Sequence, residues 1–181
     1  MKKEAIILLL IMIIFPIVMA KPSCPDGGDV LWDQKEIKVG MIKTINDLRI
    51  GVSNADEIGG LGRISADLII DAAGVSLKNK SSSQEIEISK KKYIVSLVNI
   101  TDAFAGIKIN SESKEIEEKD VDIINNLIVM VAKADDSIGA EIAAQLIVGS
   151  QRIFLSNYDK LSEKITIDNS TYLVELISAS D

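Results

Sequence analysis

The chain has 181 residues, 47 % of them apolar, with a net charge of −7 and a pI near 4.7. That length suits one medium domain or two small ones, and the apolar share is enough to build a core. An acidic surface with 4 % aromatics argues against a nucleic-acid partner, and the lack of His beside a single Cys excludes Ser–His–Asp and Cys–His catalysis, the usual zinc sites and an internal disulfide.

Residues 1–20 (MKKEAIILLLIMIIFPIVMA) read as a signal peptide. Lys2 and Lys3 form the positive n-region, residues 5–20 carry no charge, and Val18-Met19-Ala20 offers a cleavage point before Lys21. The run is short for a bilayer span, which needs about 20 apolar residues. The alternative is an uncleaved N-terminal anchor, the one membrane contact expected. Removing Lys2, Lys3 and Glu4 takes away a net +1, so the chain from Lys21 carries −8. Cys24 does not stand directly after the cleavage point, as a lipid-attachment site requires; it is expected as a free thiol able to crosslink two chains. Residues 21–34 form a leader whose first part, Lys21 to Gly28, is rich in Pro and Gly.

From residue 35 the chain is written twice. IEISKKKYIVSLVNITD (Ile86 to Asp102) aligns with ITIDNSTYLVELISASD (Ile165 to Asp181) at an offset of 79. Lys35-Glu36-Ile37 aligns with Lys114-Glu115-Ile116, and IKTINDLRIGVSNAD with VDIINNLIVMVAKAD. A register held over this distance predicts two units, 35–109 and 110–181. Apolar residues alternate through short runs separated by polar turns, as half-buried strands do. The expected strands of the first unit are 36–39, 41–45, 48–54, 66–70, 75–78, 85–89, 93–99 and 105–109. The helix-like Val121 to Ala134 becomes a hairpin by alignment with Ile42 to Ala55, and Ala140 to Val148 becomes a strand. The fold class is all-β, two tandem sandwich-like or barrel-like units.

The phase of the repeat leaves three endings open. Gly28 to Trp32 supplies the first unit with the strand that Ala105 to Ile109 supplies to the second; or the second unit keeps an open edge that accepts a strand from another molecule; or the repeat continues beyond Asp181.

Few constellations carry chemistry. Asp56, Asp102, Asp135 and Asp136 recur at strand ends, where calcium would find oxygen ligands, although Asp at such a place more often caps a turn. No other metal, cofactor or catalytic residue is indicated. Asn79, Asn99 and Asn169 open Asn-x-Ser/Thr sequons and are the glycosylation candidates. Gly59-Gly60-Leu61-Gly62 lacks the following Lys and helix of a phosphate cradle. Lys90-Lys91-Lys92 reads as a solvated turn, and Tyr93 and Tyr172 as buried side chains tethering their hydroxyls.

The paired hairpins IEISKKKYIVSLVNITD and ITIDNSTYLVELISASD, behind a signal peptide in an acidic chain, resemble archaeal surface-layer and related cell-envelope proteins. That resemblance implies a non-enzymatic structural role, often with glycans and sometimes with divalent cations. The expected function is an exported structural or adhesive protein of the cell envelope, extracellular or on the cell surface, associating with itself or with other envelope proteins. The alternative is a secreted carbohydrate- or ligand-binding accessory module.

Overall fold

The computed structural model describes residues 17–22, 33–58, 62–78, 82–137 and 143–179. The expected strand at Gly28 to Trp32, the sequon at Asn79, residues 1–16 of the expected signal peptide, Cys24, the first three residues of the Gly-rich loop and Asp181 lie outside them.

The described residues are all-β, with no helix among them, arranged as four antiparallel sheets of four strands each. The strands are β1 (Ile17–Pro22), β2 (Asp33–Glu36), β3 (Ile42–Ile45), β4 (Leu48–Ile58), β5 (Arg63–Ile70), β6 (Ala73–Leu77), β7 (Ser83–Ile88) and β8 (Lys91–Ile100). They continue as β9 (Phe104–Ile109), β10 (Glu112–Glu117), β11 (Val121–Ile124), β12 (Leu127–Ala134), β13 (Ala144–Gly149), β14 (Gln151–Ser156), β15 (Ser162–Ile167) and β16 (Ser170–Ser178).

Turn chemistry explains most of the hairpins. Asn46-Asp47, Ser89-Lys90, Asn125-Asn126 and Asp168-Asn169 all have positive φ at both residues, the geometry of two-residue primed turns whose twist matches that of the strands they join. Asn and Asp visit this region at least cost among non-glycine residues. The helix-like run from Val121 accordingly folds as the hairpin β11–β12 around Asn125-Asn126. One strand lies earlier than expected. Val39-Gly40 is a turn, with Gly40 at φ 79, so the strand before it is Asp33–Glu36 rather than 36–39.

The corresponding strands of the two halves pair alike. Bulges fall at Ser53 and Ala132, and again at Val98 and Ile177, each pair 79 residues apart. Turn hydrogen bonds match in the same way: Gly40 N donates to Val52 O, and Lys119 N to Val131 O.

Packing draws its boundary elsewhere than residue 110. Sheets β10-β9-β8-β7 and β11-β12-β13-β6 close over one core, so this sandwich is the continuous stretch from Ala73 to Gly149. Sheets β15-β16-β1-β2 and β14-β5-β4-β3 close over the second, which joins the two ends of the chain. The chain passes between sandwiches at Asp71-Ala72 and returns at Ser150. Each passage sends one strand to the far sheet: β6 pairs with β13, and β14 with β5. Asp67 on β5 and Arg152 on β14 form a two-pronged ion pair there, at 3.0 and 2.9 Å. Ile69, Ala72, Met130 and Ile147 make a small third core between the sandwiches. Gly51 permits that approach, since a Cβ there would sit 2.7 Å from the Ile147 side chain.

Candidate functional site

One structural position is filled twice, from different sources. In the continuous sandwich, β9 lies between β8 and β10. Ile107 stands opposite Leu97 and Lys114, and Ile109 opposite Val95 and Glu112. In the other sandwich, β1 lies between β16 and β2. Val18 stands opposite Leu176 and Lys35, and Ala20 opposite Val174 and Asp33. Every flanking partner of β1 is 79 residues from its counterpart around β9, yet the strand itself is 89 residues away. The ten extra residues lie in the connection. β9 turns into β10 through Asn110-Ser111, whereas residues 21–32 separate Ala20 from its partner Asp33.

The position is central to its sheet on both sides. Val95, Leu97, Ile107 and Ile109 are at most 1 % exposed in one sandwich, and Val174 and Leu176 are fully buried in the other. A strand here closes two rows of backbone hydrogen bonds and covers one edge of the core. The segment that takes this place in the second sandwich, Ile17–Pro22, runs across the cleavage point expected between Ala20 and Lys21, with four of its six residues on the N-terminal side.

A second cluster ties the two sandwiches together. Asp71 is 7 % exposed and sits at φ 52 in the first passage. Its Oδ1 accepts from Arg49 Nη2 at 2.5 Å, and its Oδ2 accepts from Ser89 N at 2.6 Å and Ser89 Oγ at 2.9 Å. Arg49 also donates to Glu87 O. Arg49 comes from β4, while Glu87 and Ser89 belong to the β7–β8 hairpin of the other sandwich. Asp71 thus holds Ser89-Lys90, a turn without Asn or Asp, in its left-handed conformation. Lys90 then reaches Asp168 of the equivalent turn at 3.4 Å. At the corresponding passage, Ser150 N and Oγ donate to Ile70 O.

The four carboxylates named as calcium candidates do not converge. Asp56 is half-buried on β4 opposite Ser65, in the sandwich made by the chain ends. Asp102 and Asp136 meet in the other, where Asp136 N donates to Asp102 Oδ1 at 3.2 Å. Asp135 is held by Ser137 N at 3.0 Å and Lys133 Nζ at 2.9 Å. Hydrogen bonds from Ser137 and then from Lys133 pull its pKa down to about 2. Among the described residues no three His, Cys, Asp or Glu are grouped to hold a metal ion.

Of the sequons described, Asn169 is exposed in the β15–β16 turn. Asn99 lies within β8, its Nδ2 donating to Glu115 Oε1 at 2.7 Å. Its side chain rests where a Cβ on Gly106 would otherwise stand. Tyr93 and Tyr172 are half-buried and pack against the edges of their respective cores. In the lysine run, Lys92 pairs across the hairpin with Glu85 at 2.7 Å.

No family model, curated protein or solved structure matches the chain. Two parts of the site escape sequence reasoning. An unbroken apolar run has no period to separate its last residues as a strand. Arg49 and Asp71 have no charged counterparts in the other unit, where Ile128 and Gly149 stand, and that asymmetry is the signal by which they could be found.

Proposed function

We propose that the chain is an exported structural or adhesive protein of the cell envelope, acting through packing and strand pairing rather than turnover. The observation that carries this reading is the way the sheets close: strands from both ends of the chain and from both halves of the sequence pair with one another, so strand pairing is what this scaffold is built to do. An all-β scaffold with two cores joined by a third suits a load-bearing role. The surface-layer resemblance of the paired hairpins points the same way. Asn169, exposed in a turn, is the sequon best placed for a glycan. Asp102 and Asp136, adjacent at one end of the continuous sandwich, are the pair through which calcium would bridge to a neighbouring copy.

Cell fractionation after expression of the full chain tests this, with mass spectrometry of the recovered protein. The reading expects a surface or extracellular fraction whose N-terminus is Lys21; a cytoplasmic chain retaining Met1 overturns it. The alternative, a ligand-binding module, draws on a groove over the outer face of β8–β10, lined by Val98, Asn99, Gly106, Ser113, Lys114 and Glu115. Saturable oligosaccharide binding that is lost in Glu115→Ala would favour that module.

A further inference from the structure

The strand β1 and the export reading make competing demands on the same residues. With β1 in the sheet, the apolar run left on its N-terminal side is residues 5–16. As a helix this would reach about 18 Å, well short of the hydrocarbon core of about 30 Å. A chain anchored by this segment must therefore withdraw residues 17–20 into the bilayer. A chain cleaved after Ala20 has lost them. In either exported form, the place between β16 and β2 no longer holds the strand found here. This step rests on the export reading above.

The chain's own leader is a poor substitute. Making the two-residue connection found between β9 and β10 would put residues 25–30 (PDGGDV) in the strand and Leu31-Trp32 in the turn. Asp26, Gly28 and Val30 would then occupy the positions of Ala105, Ile107 and Ile109, all fully buried. The first turn residue of the counterpart, Asn110, has φ 52, a conformation costly for Leu. A leader from another molecule is free of that turn. Its Val30 and Trp32 alternate, so both would face the core beside Val174 and Leu176.

We propose that in the exported chain the gap between β16 and β2 accepts residues 28–32 of a second copy, joining copies in line by strand donation. The donating leader and the accepting gap are different surfaces of one molecule, so the contact is head-to-tail and extends into a filament unless rotation closes a ring. Backbone pairing to both β16 and β2 supplies the attachment, and the alternating Val30 and Trp32 select the register.

The test uses protein recovered after export of the full chain. Its N-terminus is read by mass spectrometry and its size by light scattering over a hundredfold concentration range. A peptide of residues 15–22 (FPIVMAKP) with a solubilising lysine tail serves as the competing strand. The expected result is a Lys21 N-terminus, mass rising with concentration, and reversion to monomer with a higher melting temperature when peptide is added. The double variant Val30→Asp, Trp32→Asp is expected to be monomeric while still binding the peptide, which shows that its acceptor gap is intact. A chain beginning at Lys21 that stays monomeric and ignores the peptide overturns the proposal and leaves export standing. A soluble exported chain retaining Met1, with residues 17–20 protected from hydrogen exchange within the sheet, also overturns the proposal and leaves export standing, whereas a chain found only in the cytoplasm overturns the export reading and the proposal with it.

Discussion

The β9 and β1 positions share neighbours, register and core-facing partners, but differ in how they are attached. β9 is bound by two-residue and three-residue connections to the strands on either side, so its contacts are local and always available. β1 is joined to β2 through ten residues and has no covalent link to β16 near the sheet. Two sandwiches of similar design therefore differ in how they are closed: one contains its full strand complement in a single continuous stretch, and the other is completed by a strand held through a long connection, in a segment that the proposed export would remove or engage elsewhere. Equivalent pairing partners do not make two strands equivalent when one is fixed by short turns and the other by a long connection.

The largest effects break the comparison directly. Leu97→Ala empties a fully packed position opposite Ile107 and is expected to cost about 2–5 kcal/mol by urea unfolding. Its counterpart Leu176→Ala is expected to cost as much in a chain that retains β1. In monomeric exported protein the cost falls to about half or less, because the neighbouring strand is gone and Leu176 is no longer fully enclosed. Equal costs at the two positions in that protein would remove the distinction.

Next is the contrast between the two passages. Asp71→Ala leaves Arg49 and the Ser89 amide without their acceptor and places Ala at a positive φ, a loss of about 3 kcal/mol, reduced from a fully buried pair because Arg49 is partly exposed. Ser150→Ala removes one long hydroxyl contact and is expected to cost under about 1 kcal/mol. Thermal unfolding of both variants checks the ranking. On the outer face of β9, Gly106→Ala drives Asn99 off the strand and breaks its bond to Glu115, for about 1–2 kcal/mol. A changed chemical shift of the Asn99 side-chain amide in NMR spectra would confirm the displacement, and an unchanged one would contradict it.

The smallest effect is electrostatic. The Asp135 carboxyl titrates near 2 in the folded chain, below its ordinary value of about 4. Its contribution to stability is therefore full above pH 4 and fades as pH falls towards 2. Ser137→Ala removes the largest cause and is expected to move the NMR-detected titration of Asp135 upward, with little change at pH 7. An unchanged titration would assign the shift to Lys133 and the backbone amide of residue 137.

Much of the fold was legible because turns and alternation agree. Asn125-Asn126 marks a primed turn as plainly as Asn46-Asp47 does, which is why a run as apolar as Leu127–Ala134 could be read as a strand. The exchange of β6 and β14 between sheets was not legible, since nothing in a strand's own pattern names its partner. Asp71 was hidden for a related reason: its importance comes from Arg49 and Ser89, which are 22 and 18 residues away. The strand at Ile17–Pro22 was foreseen only as a question of phase. Alignment showed that a strand was missing from one unit, while hydrophobicity assigned the residues that take its place to the signal peptide.

The most direct measurement is native-state hydrogen exchange of β8 and β16 in exported Val30→Asp, Trp32→Asp protein, with and without the residue 15–22 peptide. The account predicts that amides of β16 facing the gap exchange at least tenfold faster than their β8 counterparts, and that the peptide restores their protection. Equal protection of β8 and β16 in the monomer beginning at Lys21, before any peptide is added, would contradict it.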